Sequence, residues 1–432
     1  LQNRLEELYG LVSVFAPEYF RSLETFKERY INNPDGVGND DLAARVAQIA
    51  KRTLRKDANK YIRFTTRMPL TVAFTPSEDE IQLYEFINSY LQQPFLWAFA
   101  KSQRHLSALI LRKRLGSSSY AVASTLEKIA DRLEAEACSG KRRNDAGAFI
   151  EDPDLTGDER EEVDNTLASP ESIGDRQCAE MLDEAQELRD YAALARSITV
   201  NQKAVKLVDA LEQGFAKLRE IGAPEKAIIF TDSTVTQEYL ARSLIEAGWG
   251  EGLVLFNGTN TSAKANAIYR TWLEENKGSD LITGIPAVDR RKALVDEFQQ
   301  RGHLMIATEA AAEGINLQFC SMLVNYDLPW NPQRVEQRIG RVHRFGQKHN
   351  VIVVNFSNKG NLAEERILQL LTEKFQLFTS VFGASDEVLG QIEDGLDFEK
   401  NVAAILERCT TAEQIDAAFA DLEARYAAQI NR

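Results

Sequence analysis

A chain of 432 residues has room for about three compact units at roughly 150 residues each. With 44% hydrophobic and 27% charged residues, it has ordinary globular usage, which excludes collagen-like, wholly disordered and disulfide-scaffold classes. The net charge of −14 weighs against a polyanion partner until its distribution is read: residues 145–190 carry 16 acidic and 3 basic side chains, and residues 383–432 carry 11 and 4. The remainder holds 44 basic and 38 acidic residues, so two acidic segments mask a mildly basic body that can still present a basic cleft. Cys138, Cys178, Cys320 and Cys409 form no CxxC pair and have no nearby His, which argues against zinc and against a disulfide framework. No apolar run approaches the ~18–20 residues needed to span a bilayer. The opening LQNRLEELYG has neither a basic start nor an apolar signal core, so the expectation is a soluble, cytoplasmic protein with no membrane partner.

In chain order, Leu5, Leu8, Leu11, Val12 and Phe15 recur at helical spacing and Pro17 punctuates them. Residues 32–41 read as a loop, and the basic run 51–67 as a solvated helix face or a polyanion contact. LTVAF (70–74) is strand-like, and Glu78 to Leu91 is an amphipathic helix begun by Pro76-Ser77; further helices cover 105–115 and 120–137. Residues 139–175, rich in Gly, Pro and Asp, predict a linker or mobile insertion, after which a long helix runs from Arg176 towards Ser197. From Lys226 the pattern changes. The runs 227–231, 253–256, 304–308, 322–327 and 351–356 are continuously apolar and alternate with helices, the mark of a parallel sheet covered on both faces. The fold class expected is α/β, a doubly wound parallel sheet with helical flanking and insertion elements, ending in an acidic helical appendage.

Ligands of open parallel sheets sit beyond the carboxyl ends of strands. Two such ends carry unusual residues, in EAAAEGINLQ (309–318) and in LPWNPQRVEQRIGRVHRFGQ (328–347). Asn331 and Pro332 form a helix start. Val335, Ile339 and Val342 then share an apolar stripe, with Gln337, Arg341 and Arg344 on nearly the opposite side. Two guanidiniums and an amide at the sheet rim suit a triphosphate, whose oxygens match arginine forks. A surface arginine face partnered by glutamates such as Glu336 has the same spacing. Gly314 permits close backbone approach, and Asn316 offers both donor and acceptor.

ATEAAAEGINLQ resembles motif V and QRIGRVHRFGQ motif VI of superfamily-two helicases, and YDLPWNP with HRFGQ is similar to the Swi/Snf-type branch. KAIIFTDSTVTQEYLARSL (226–244) resembles motif IV, and residues 1–20 resemble the region after motif III of the first motor lobe; 110–129 lean towards bacterial members, including the ATPase that recycles RNA polymerase. The resemblance implies a RecA-like second lobe at 198–382, preceded by the end of the first lobe with helical protrusions (1–137) and an acidic linker with a connecting helix (138–197), and followed by the appendage (383–432). It implies that Arg341 and Arg344 are arginine fingers, and that Gln337, Glu313, Gly314 and Asn316 serve nucleotide binding or coupling. Thr231, Asn257, Gly258 and Thr308 would meet the phosphodiester backbone. Asp327, Trp330 and Asn331 match the block before motif VI, in structural or catalytic roles. The cofactors implied are ATP and Mg2+; the partner is double-stranded DNA, with RNA polymerase or another DNA-bound complex open.

No GxxxxGK[ST] or strand-end DExx stretch occurs in the sequence, and no metal ligands are expected within it. Phosphoryl transfer requires a phosphate cradle and a metal site. The sequence is therefore expected to be the carboxyl-terminal portion of a longer ATP-driven motor and to hydrolyse no ATP alone. A non-catalytic docking adaptor and an RNA helicase are the competing readings.

Overall fold

The computed structural model describes residues 5–32, 39–50, 65–99, 104–143, 149, 152, 154–155, 159–160, 163, 171–309, 314–374, 377–378, 395–409 and 411–430. The chain divides into two compact units, Leu1–Arg63 and Phe64–Arg432.

The first unit is helical: α1 (Leu5–Phe15), a short α2 (Leu23–Phe26) continued by a π-helical turn (Lys27–Ile31), and α3 (Asn39–Ile49). The apolar spacing seen at the start of the sequence buries Leu8 and Val12 against Phe20, Phe26, Tyr30 and Leu42. Phe20 and Phe26 meet edge to face at 5.0 Å, the arrangement that aromatic quadrupoles favour. The basic run falls at residues 51–64 outside the described residues.

The second unit is built on six parallel strands: β1 (Arg67–Phe74), β4 (Ala227–Thr231), β5 (Leu253–Phe256), β6 (Leu304–Thr308), β7 (Met322–Asn325) and β8 (Val351–Asn358). Their order is β1-β8-β7-β4-β6-β5. Strand side chains alternate between two cores, as the period of two requires. Ile229, Ile306, Val324 and Val354 pack with α8 (Gln202–Glu220) and α9 (Thr234–Glu246) on one face. Phe230, Met305, Leu323 and Val353 pack on the other with α11 (Pro286–Gln300) and α12 (Pro332–Val342). Near-continuous burial along β4, β5, β6, β7 and β8, with β1 half-exposed at the sheet edge, is the doubly wound α/β arrangement expected from the sequence. α10 (Ala263–Glu275) packs on α11, which itself contacts β5. α4 (Glu78–Gln92), α5 (Arg104–Ser117), α6 (Ser119–Ser139) and α7 (Asp175–Ser197) form a helical insertion with its own core, including Leu83, Ile87, Leu126 and Leu188. Ser77 and Glu80 make a reciprocal capping box at the start of α4. Among the described residues, no helix is long and apolar enough to cross a membrane.

Three boundaries differ from those expected. First, β1 was placed with the end of a preceding lobe, yet it pairs with β8 over its whole length, from Arg67–Val351 to Phe74–Asn358. A strand read alone carries no record of its hydrogen-bonding partner, and the packing break falls at residue 63 rather than 137. Second, the presumed mobile linker is anchored where it is described: Phe149, Leu155 and Val163 are buried in the helical core, and β2 (Lys141–Arg142) pairs antiparallel with β3 (Glu171–Ser172). Third, the acidic appendage is part of the main core. α14 (Gly395–Arg408) and α15 (Ala412–Ile430) contribute Phe398, Val402, Leu406, Phe419 and Leu422 to the same cluster as α12 and α13 (Leu362–Gln369). High surface charge hid these apolar stripes.

The seat of α12 on the sheet is made by Val335, Ile339 and Val342, all fully buried. Ile339→Ala is expected to lower unfolding stability by about 2–5 kcal/mol in urea titration; a loss below about 0.5 kcal/mol would mean that this stripe does not seat the helix.

Candidate functional site

Helix α12 starts where expected. The Asn331 side chain accepts from Gln333 N at 2.8 Å, and Pro332 takes the first helical position. The helix leaves the carboxyl end of β7 and returns towards the amino ends of the strands. There, Leu317 N donates to Arg341 O at 3.0 Å, and Gln347 Nε2 donates to Cys320 O and Val342 O at 2.9 and 3.0 Å. These bonds stitch the segment 314–321 to 341–347. Gly346 adopts φ +96°, and an added Cβ would stand 3.1 Å from Gln318 Oε1, so this turn requires glycine twice over.

The last turn is clamped from β1. Arg67, fully buried, donates to both oxygens of Glu336 at 2.7 and 2.6 Å and to His343 Nδ1 at 3.3 Å. His343 Nε2 lies 2.7 Å from Thr65 O. Glu336 is therefore spent on Arg67 and does not partner the outward arginines. Arg341 is half-buried and Arg344 exposed, and neither makes an ion pair or side-chain hydrogen bond among the described residues. Gln337 is half-buried on the same helix. Gly314 and Asn316 are exposed; Gly314 has φ +76° and open space beside it, and Asn316 Oδ1 accepts from Gln318 N at 3.4 Å. Glu313 lies outside the described residues.

The opposite rim, at the carboxyl ends of β4, β6 and β7, is a buried charge network. Asp327 Oδ2 accepts from Thr231 Oγ1 (2.7 Å), Asp232 N (2.9 Å) and Ser117 Oγ (2.6 Å), and Oδ1 accepts from Lys203 Nζ (3.1 Å). Arg338, in mid-α12 and 2% exposed, donates to Glu309, to the Asp327 carbonyl and to Asp232 Oδ1 at 2.8 Å, with its guanidinium 5.1 Å from the Phe230 ring centroid. Arg338 was not among the expected site residues. Its place beside Ile339 on the apolar stripe was the available sign that it points inward.

Two of the expected backbone-contact residues are not presented for that purpose. Thr231 is fully buried with its hydroxyl committed to Asp327, and Thr308 is 3% exposed within the parallel register. Both lie at strand termini, where short polar side chains satisfy the sheet rather than a ligand. Asn257 and Asn260 cross-bond, each side-chain oxygen accepting the other's amide at 2.8 Å, and Asn257 Nδ2 donates to Gln237; Gly258, in this turn, is exposed. Asp327 is buried in this network, Asn331 caps α12, and Trp330 is buried in the core. Among the described residues, no group of His, Cys, Asp or Glu is arranged to hold a metal ion.

Residues 206–346 match the helicase conserved C-terminal domain family. The chain is 29% identical over 416 residues to the uncharacterized ATP-dependent helicase YqhH of Bacillus subtilis, covering 96% of this chain and 59% of that protein. It thus spans about three-fifths of that relative's length. It is 34% identical over 115 residues to the RNA polymerase-associated protein RapA of Vibrio vulnificus, covering 26% of this chain and 12% of RapA. A loose structural likeness, with TM-score 0.36 and 17% identity, joins 94% of this chain to 62% of the Sulfolobus solfataricus SWI2/SNF2 ATPase core in complex with dsDNA. Over nearly its whole length the chain is thus similar to an ATP-dependent helicase. Residues 206–346 are its helicase C-terminal domain, and the second unit has the RecA-like α/β class.

Removing one partner of the buried Arg67–Glu336 pair leaves an uncompensated charge, so Arg67→Ala is expected to destabilise by about 3–5 kcal/mol. Arg67→Met with Glu336→Met should regain most of that loss in urea titration; no recovery would mean the clamp is not a pairwise one. A second expectation concerns pH. Burial pushes the Asp232 carboxyl up to about 6 against the opposing pull of Arg338. The folded chain then holds this proton more tightly than the unfolded one, so charging Asp232 costs stability as pH rises from the ordinary carboxyl range through about 6. Relative to Asp232→Asn, the wild type should lose stability between about pH 4.5 and about pH 7; a gain over that window contradicts the assignment.

Proposed function

We propose that this chain supplies the second motor lobe of an ATP-dependent translocase on double-stranded DNA. The observation that carries this reading is a contrast along one helix. Arg338 is saturated by internal acceptors, whereas Arg341 in the last turn of α12 and Arg344 just past its end make no ion pair or side-chain hydrogen bond among the described residues. Guanidiniums held at and just beyond the end of a rigid helix, with no internal acceptor among the described residues, are what an arginine finger requires, since charge on a transferring phosphoryl group is stabilised by pre-placed donors. Bound ATP with Mg2+ would supply the triphosphate and its leaving group. This chain's part is to hold Arg341 and Arg344 towards it, assisted by Gln337 on α12, by Gly314 and Asn316 on the stitched loop, and by Glu313. The phosphate cradle would belong to another lobe, because this sequence has no GxxxxGK[ST] stretch.

The nucleic-acid face is assigned to the carboxyl-end rim, near Gly258 and Asn257. Motors of this kind grip backbone rather than bases, so affinity should fall steeply with salt and vary little with sequence. The similarity to RapA makes RNA polymerase, or another DNA-bound complex, the partner to test.

The test is ATP hydrolysis by the open reading frame with any upstream sequence included, without nucleic acid and with duplex DNA, single-stranded DNA or RNA. Duplex-stimulated turnover is expected, with kcat reduced about 10³-fold or more by Arg341→Ala. Turnover unaffected by that substitution would remove the finger assignment; RNA-selective stimulation would indicate an RNA helicase; no turnover with a phosphate loop present would indicate a docking adaptor. This chain alone is expected to show none.

A further inference from the structure

Both acidic segments of the sequence meet on Lys113, and the first of them also reaches Arg114. Lys113 Nζ, near the end of α5, donates to Glu159 at 2.9 Å and to Glu399 at 2.8 Å, one carboxylate from each segment. Arg114 donates to Asp152 at 3.1 Å and to the carbonyl of Asp232, and its guanidinium lies 3.7 Å from Asp154. Lys113, Arg114, Asp154, Glu159 and Glu399 line one cavity at the carboxyl ends of β4 and β6, beside Arg338. Asp154 closes it. Its Oδ2 accepts from the backbone N and the hydroxyl of Thr234, at 2.8 and 3.1 Å, at the first residue of the 13-residue α9.

A free helix-terminal amide, a hydroxyl, a guanidinium and a nearby ammonium form the donor set that takes phosphate oxygens. The carboxylate fills this set incompletely. The Asp154 side chain is 6% exposed, and its Oδ1 is buried with no hydrogen-bond partner. Burial raises the Asp154 carboxyl above its ordinary range, although Arg114 and Thr234 oppose the shift. For Lys113, burial pulls the ammonium down, but Glu159 and Glu399 outweigh it and hold it above the usual lysine value. The cations are thus fully charged and spent internally.

We propose that Thr234, Arg114 and Lys113 form an oxyanion site for a backbone phosphate of duplex DNA, and that Asp154, with Asp152 and Glu159, is an intramolecular plug that the phosphate displaces. The assignment of the ligand rests on the functional reading above; the plug itself does not. Exchange is feasible because buried ion pairs contribute little net stability once desolvation is counted. Handing the same cations to DNA also releases counterions.

In the full chain, Asp152→Asn/Asp154→Asn/Glu159→Gln removes the plug's charge and keeps its shape. Glu171→Gln/Asp183→Asn/Asp190→Asn makes the same charge change at exposed positions of the same segment. Heparin and duplex DNA affinities are measured for both. The plug variant should bind both polyanions about tenfold more tightly than the exposed-site variant, with a log–log salt slope for DNA steeper by about two, one for each freed cation. Adding Arg114→Gln should cancel most of the gain. Equal heparin affinities for the two variants overturn the plug. A heparin gain without a DNA gain overturns duplex DNA as the ligand, and with it the functional reading, while the plug stands. Should the triple variant lose its cooperative unfolding transition, Asp154→Asn alone is read in the same way, with a gain of about threefold expected.

Discussion

The buried carboxylate of Asp327 fixes the geometry on which the rest of the sheet end depends. One side chain accepts from the end of β4, the end of α5 and the start of α8, joining the strand termini to the helical insertion and to the helix that follows it. Arg338 donates to the same residue's carbonyl and to Asp232 and Glu309, so motif VI is tied to the ends of three strands at once. A buried network is tolerable only when its members are satisfied, since a lone unpaired charge there would cost several kcal/mol. Here almost every lone pair is used, and the network fixes where α12 begins and how it is rotated.

That rotation separates two rims. At one, the Asp327 network consumes every nearby cation. At the other, the Arg67–Glu336 clamp and the Gln347 bonds hold the end of α12, while Arg341 and Arg344 make no ion pair among the described residues. The helix spans the sheet between them, so the two rims are joined by a regular element rather than a loop. The segment 314–321 and the end of α12 are joined directly, by one backbone hydrogen bond from Leu317 to Arg341 and by the Gln347 side chain.

Charge distribution and fold are linked in the same way. The net charge of −14 conceals a basic body, and the structure shows part of the concealment physically: Asp152, Asp154, Glu159 and Glu399 sit on Lys113 and Arg114. Composition alone suggested a spacer, because acidic, Gly- and Pro-containing stretches generally cannot bury enough apolar surface to order themselves. Phe149, Leu155 and Val163 provide that surface at intervals too wide to register as a helix or strand period.

The sequence by itself determined what depends on local periodicity: the apolar strands from residue 227 onward, the helices between them, the Asn331-Pro332 start of α12 and the outward face bearing Arg341 and Arg344. These were legible because strand and helix periods and caps are properties of neighbouring residues. Tertiary structure alone decided which strand β1 joins, which acidic residues meet which cations, and that Thr231 and Arg338 are buried in a network instead of facing a ligand. Each of those outcomes pairs residues far apart in the chain, such as Arg67 with Glu336 and Ser117 with Asp327. No local pattern encodes such a pairing, because its energy exists only once both groups have left water together.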